Sequence, residues 1–127
     1  MNAPARRLCG SLTVAWLTLC PASAGVMITE FLAQNDGGLT DEAGRSSDWI
    51  ELTNTGDTAV NLAGWYLTDD AANLRKWKFP ALSLGANGRL LVLASGDDRR
   101  DPAGPLHTNF SLRAAGEYLA LVQPDGV

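Results

Sequence analysis

His107 is the single histidine in a chain of 127 residues whose only cysteines are Cys9 and Cys20, and that scarcity bounds the chemistry available. A hydrolytic triad needs a nucleophile, a base and an orienting acid, and His107 is the one histidine to serve as base, with no Gly-x-Ser-x-Gly elbow anywhere in the sequence. One histidine, with both cysteines near the start, cannot furnish a tetrahedral N/S zinc site, and no glycine-rich phosphate loop is present. Beside Thr108 and Asn109, His107 reads as a hydrogen-bonding residue near a strand start. No catalytic residues are expected. The carboxylates leave calcium as the one candidate cofactor, because hard cations take oxygen ligands and the loops offer Asp69, Asp70, Asp97, Asp98 and Asp101. Their spacing matches no EF-hand, and Arg99 and Arg100 compete as partners. Arg75, Lys76 and Lys78 around Trp77 form the one dense basic group, read as the solvated face of a strand. Tyr66 and Trp77 fall where strand alternation can turn an aromatic outward for stacking on sugar, but core or edge packing is the favoured reading for both. Asn109-Phe110-Ser111 has the form of a glycosylation acceptor and is read as incidental to a strand.

The elements that must position these residues are short strands. Between Asp48 and Asp70, three alternating apolar segments (Trp49-Ile50-Glu51-Leu52, Val60-Asn61-Leu62 and Trp65-Tyr66-Leu67-Thr68) are separated by Asn54-Thr55-Gly56-Asp57 and Ala63-Gly64, with no room for a helix. Residues 26–33 read as a first strand ended by Asn35-Asp36-Gly37-Gly38. Residues 39–47 read as a surface loop with room for one helical turn. Trp77-Lys78-Phe79 runs extended into Pro80, residues 89–94 form a buried-strand run after Ala86-Asn87-Gly88, and residues 95–105 form an exposed loop. Strands over 106–112 and 118–122 flank the turn at Ala114-Ala115-Gly116. Eight short strands without helical periodicity predict an all-β sandwich. Its inward set is read as Ile28, Ile50, Leu52, Leu62, Trp65, Leu67, Phe79, Leu91, Leu93, Phe110, Leu119 and Leu121.

Ahead of the strands, Arg6-Arg7, an apolar run over residues 8–19, Pro21 and the small residues Ala22-Ser23-Ala24 have the layout of a secretory signal peptide cleaved near Ala24. The run is too short to cross a bilayer core of about 30 Å, so no stable span is expected after cleavage. The expected division is a signal-peptide helix over 1–24 and one sandwich domain over 25–127, secreted, periplasmic or held at the cell surface. Both cysteines fall inside the signal, so no disulfide framework is available. Without Arg6 and Arg7 the chain has eight basic residues against 14 acidic ones, a net charge of −6. That balance argues against nucleic acid as a partner. Pro124-Asp125-Gly126 reads as a hairpin turn whose second strand has barely begun. The chain is therefore expected to continue past Val127, and the strand before the turn to present an unpaired edge.

Four ordered blocks carry a family resemblance: Trp49-Ile50-Glu51-Leu52-Thr53-Asn54, Leu62-Ala63-Gly64-Trp65-Tyr66-Leu67-Thr68-Asp69, Trp77-Lys78-Phe79-Pro80 and His107-Thr108-Asn109-Phe110-Ser111-Leu112. Across residues 26–127 the sequence resembles the lamin-tail domain in its secreted bacterial form, with the last strand missing. The resemblance implies an immunoglobulin-like β-sandwich, an accessory interaction module, and no catalytic residues to carry over. It gives Trp49, Glu51, Asn54, Gly64, Trp65, Asp69, Phe79, Asn109 and Phe110 architectural parts. Asn54 is expected to cap the turn after its strand, Gly64 to allow a backbone geometry that a Cβ hinders, and Trp65 to fill the centre of the sandwich.

The function expected from these observations is non-catalytic: an exported interaction or structural module making contacts with protein or polysaccharide. The alternative is an amino-terminal accessory domain of a larger exported enzyme, kinase-like of the spore-coat-protein-H type or a nuclease or phosphoesterase, whose catalytic part lies beyond residue 127.

Overall fold

Among the described residues nine strands follow one another: β1 (Val26–Leu32), β2 (Asp48–Asn54), β3 (Val60–Asn61), β4 (Tyr66–Thr68), β5 (Trp77–Lys78), β6 (Ser83–Leu84), β7 (Arg89–Ala94), β8 (Leu106–His107) and β9 (Ala120–Val122). The computed structural model describes residues 25–113 and 118–125. The expected signal peptide, the turn at Ala114-Ala115-Gly116, and Gly126 and Val127 lie outside the described residues. Among the described residues no helix is long and apolar enough to cross a membrane.

The strands form a four-stranded sheet in the order β1-β2-β7-β8, a two-stranded ladder β3-β6 and a three-stranded sheet β5-β4-β9. The β2 segment lies between β1 and β7 because its alternation suits a sheet with one face in the core. Ile50, Leu52 and Asn54 are buried, whereas Trp49, Glu51 and Thr53 on the other face are half-buried. Its register on β1 shifts between Ile28 and Glu30. At that irregularity the Thr29 hydroxyl meets Glu51 Oε1 at 2.7 Å and Thr53 Oγ1 at 2.8 Å. All these pairings are antiparallel, but β8 joins β7 in parallel, with Leu93 opposite His107.

Between the sheets lies an apolar core of Ile50, Leu52, Leu62, Leu67, Trp77, Phe79, Leu84, Val92, Ala94, Leu106, Phe110, Leu112, Leu119 and Leu121. Two expectations about it need correction, the inward placing of Leu91 and Leu93 and the central placing of Trp65. Leu91 is exposed, and Leu93 is buried outside the core cluster, because the register on β2 sets Leu90, Val92 and Ala94 opposite inward Leu52, Ile50 and Asp48. The uniform apolar run over 89–94 holds no alternation from which to read that parity. Trp77 is fully buried, in keeping with the core packing favoured over an outward face: Leu67 is opposite it across the strand pair, and its ring meets Phe79 edge-on with centroids 4.9 Å apart. Its indole N–H donates to Asp98 Oδ1 at 3.0 Å, which satisfies the polar atom. Trp65 is only half-buried and packs against the core from its margin instead of filling the centre.

The ninth strand, β6, was not legible. Two residues after Pro80 carry too little pattern, and they become a strand only through pairing with β3. Two turn residues matter to the frame. Gly64 has φ +83°, a left-handed conformation that other residues adopt at a cost. Asn87 takes φ +60° ahead of Gly88, whose N–H closes the turn onto Gly85 O at 2.9 Å and starts β7 in register.

Candidate functional site

The β1–β2 connection, residues 33–47, comes against the β7–β8 connection, residues 95–105, and there the chemistry-bearing side chains converge. Three side chains fold the first connection. Buried Asn35 accepts from the Gly38 N–H at 2.8 Å and donates to Leu39 O at 2.6 Å and Ser47 O at 3.0 Å. Asp48 accepts from the Gln34 N–H at 2.8 Å and, with its other oxygen, from the Leu112 N–H at 3.1 Å. Buried Asp41 accepts from the Ala43 and Arg45 N–H groups, the Arg45 guanidinium and the Ser47 hydroxyl, at 2.8 to 3.1 Å. Burial acts to raise the Asp41 pKa, but these bonds outweigh it and hold the carboxyl down to about 2. The result is a tight turn of irregular backbone with no helix in it.

That turn presents Glu42 and Arg45 to the other connection. Arg45 joins Asp41 to Asp97, reaching Asp97 Oδ2 at 2.5 Å, and Arg99 reaches Glu42 Oε2 at 2.6 Å. His107 lies at the centre with no exposed surface. Its Nδ1 is 2.7 Å from Ser95 Oγ, and its Nε2 is 3.0 Å from both Glu42 oxygens. Since the Asp97 N–H donates to Ser95 Oγ and a carboxylate only accepts, one assignment satisfies every atom: Ser95 donates to Nδ1, and Nε2–H donates to Glu42. Glu42 is held below its ordinary pKa, first by its own backbone N–H, then against burial by His107 and Arg99. Asp97 is lowered chiefly by the Arg45 hydrogen bond, with burial opposing it.

Serine, imidazole and carboxylate in a line resemble a hydrolytic triad, but the ring is reversed. In such a triad the serine meets Nε2 and the acid Nδ1. Here the serine oxygen is also tied to the Asp97 N–H, and the imidazole has no surface open to a substrate. What the arrangement does is fasten the β1–β2 connection to the β7–β8 end of the sheet through a buried hydrogen-bond chain within an ion-pair network.

The five aspartates considered for calcium do not come together. Asp69 pairs with Lys76 at 2.7 Å, and Asp97 and Asp98 are engaged by Arg45 and Arg100. Asp70 and Asp101 each accept a backbone N–H two residues on. Among the described residues no three His, Cys, Asp or Glu side chains form a group that could hold a metal ion. Of the architectural residues, Asn54 is fully buried: it accepts from the Gly56 N–H at 3.0 Å and donates to Thr58 O and Leu84 O, both at 2.9 Å. Phe79 and Phe110 are in the core, and Asn109 donates to Lys76 O at 2.9 Å. Glu51 faces Arg89 at 3.8 Å, and the Trp49 indole N–H is buried without a hydrogen-bond partner among the described residues. Glu42, Arg45, Asp41 and Ser95 were missed in the sequence. Glu42 is 65 residues from His107, and no local motif joins them.

A family model described as Lamin Tail Domain matches residues 21–127. No curated protein and no solved structure matches the chain.

Proposed function

The chain belongs to the lamin tail domain family of non-catalytic, immunoglobulin-like modules, and from that premise we propose that it is an exported contact module, binding protein or polysaccharide through its strand faces and loops. One observation carries the reading. Among the described residues, the only cluster with the elements of catalysis is closed, its histidine unexposed and both ring nitrogens engaged inside the protein. A general base must reach the proton it takes, and this one is committed to holding two loops together. Export is supported by Arg6-Arg7, the apolar run and Ala22-Ser23-Ala24. An arm that positions a larger exported enzyme would work by the same contacts.

The test is an assay of the full chain against carboxyl-ester, phosphoester, glycoside and peptide substrates, with Ser95→Ala beside it. The reading expects identical traces from both. Turnover that survives stringent purification and disappears in Ser95→Ala would overturn it.

A further inference from the structure

The outward face of the β5-β4-β9 sheet carries charge that the other described residues leave unmatched. Arg45, Lys76, Arg89, Arg99 and Arg100 each lie within ion-pair reach of a carboxylate. Among the described residues, Arg75 and Lys78 have no such carboxylate, and both are exposed. They are neighbours through Tyr66. Lys78 is opposite Tyr66 across the β4–β5 pair, which brings the two side chains to one face. The Arg75 guanidinium lies over the Tyr66 ring, 5.7 Å from its centroid. Half-buried Tyr66 has no hydrogen bond to its hydroxyl among the described residues. The face thus offers a planar guanidinium held on an aromatic ring, a second cation one strand away and a free phenol.

We propose that Tyr66, Arg75 and Lys78 form a docking surface for a carboxylate-bearing polysaccharide, an inference that rests on the contact-module reading. Charge complementarity selects an anion. A guanidinium takes a carboxylate with two parallel hydrogen bonds, and Lys78 adds a point charge for the next one. The free phenol favours a uronic-acid chain over an acidic peptide, because a sugar ring presents hydroxyls beside each carboxylate for Tyr66 to bond. A polymer's repeats turn such weak single contacts into retention. The net charge of −6 left after the expected signal opposes any polyanion at long range, nucleic acid and polyuronate alike, but charges beyond about 8 Å are largely screened at physiological salt, so the short-range contact at Arg75 and Lys78 carries the proposal.

Retention of the full chain on immobilised polygalacturonate tests the proposal, with dextran as the neutral matrix and poly-glutamate as the acidic peptide. Binding to polygalacturonate is expected to weaken as sodium chloride rises and to fall about tenfold in Arg75→Ala/Lys78→Ala, as for two exposed ion pairs lost together. Tyr66→Phe is expected to bind a few-fold more weakly, and melting of the double variant to stay unchanged because both side chains are exposed. No retention, or equal retention by the double variant, overturns the proposal. Poly-glutamate held as tightly as polygalacturonate also overturns it, in favour of an acidic protein partner, and leaves the contact-module reading standing. Ser95-dependent turnover would instead sink that reading without touching the binding result.

Discussion

Asn54→Ala should destabilise this protein far more than its polar character suggests. Its side chain is fully buried and bonds three backbone groups: the Gly56 N–H, Thr58 O and Leu84 O. The first two close the turn after β2, and the third ties that turn to β6. A typical intramolecular hydrogen bond contributes about 1 kcal/mol net, and a buried group left unsatisfied costs about 1–3 kcal/mol. With Leu84 O left in the interior, the expected loss is about 2–4 kcal/mol. For a domain of roughly 100 residues each kcal/mol moves the midpoint by about 4–8 °C, so the melt should fall by about 10–25 °C. Asn61→Ala is the control, since exposed Asn61 accepts one bond, from the Ala63 N–H at 2.9 Å. Thermal melts and urea titrations of the full chain read both variants, with an unchanged m-value confirming that the native state is intact. Asn54→Asp should cost at least as much, because it keeps the acceptor and turns the donor toward two carbonyls as a second acceptor. A loss below about 1 kcal/mol for Asn54→Ala, equal to that of Asn61→Ala, would refute the reasoning.

Acid should weaken the fold at its loops first. Asp41 is held at about 2, and Glu42, Asp97 and Asp98 are lowered as well. Depressed carboxyl pKa values stabilise fully above the unfolded value of about 4, and that contribution fades as pH falls toward about 2. Melts at pH 5, 4, 3 and 2 should decline mainly below 4, and less steeply in Asp41→Asn. Gly64→Ala should cost about 1–2 kcal/mol through backbone strain, because φ is +83° while the nearest atom, in Pro124, stands at an ordinary 3.6 Å. Gly64→Asn should cost less, which a paired melt will show. Calcium added to, or chelated from, the full chain should leave the melting midpoint within error, since Asp69, Asp97 and Asp98 are engaged by basic side chains.

The layout of the sheets was legible wherever polar and apolar residues alternate. Trp49-Ile50-Glu51-Leu52 declares its faces, so Ile50 and Leu52 are read inward from the sequence and are buried in the structure. The run over 89–94 declares nothing, and its parity comes from pairing with β2, a long-range contact. Asn54 is legible because an Asx turn is local chemistry. The polar cluster is not, since His107 meets Ser95 across 12 positions and Glu42 across 65. Only the fold that joins the two connections makes them neighbours. The aspartates were legible only as alternatives, a cation site or solvated loops with arginines competing as partners, and the basic side chains that pair with Asp97, Asp98 and Asp69 come from the same loops and from Arg45.

Amide hydrogen exchange across residues 41–47, comparing the full chain with Glu42→Ala, tests most directly whether the Ser95–His107–Glu42 chain is a fastener. Glu42→Ala removes both the His107 and the Arg99 contacts. Exchange at Gly44, Arg45 and Ser47, whose N–H groups are bonded within the turn, should quicken about tenfold, while β2 and β7 keep their protection. Unchanged exchange in the turn would contradict the account, because the loop would then be held without the bond that closes the cluster.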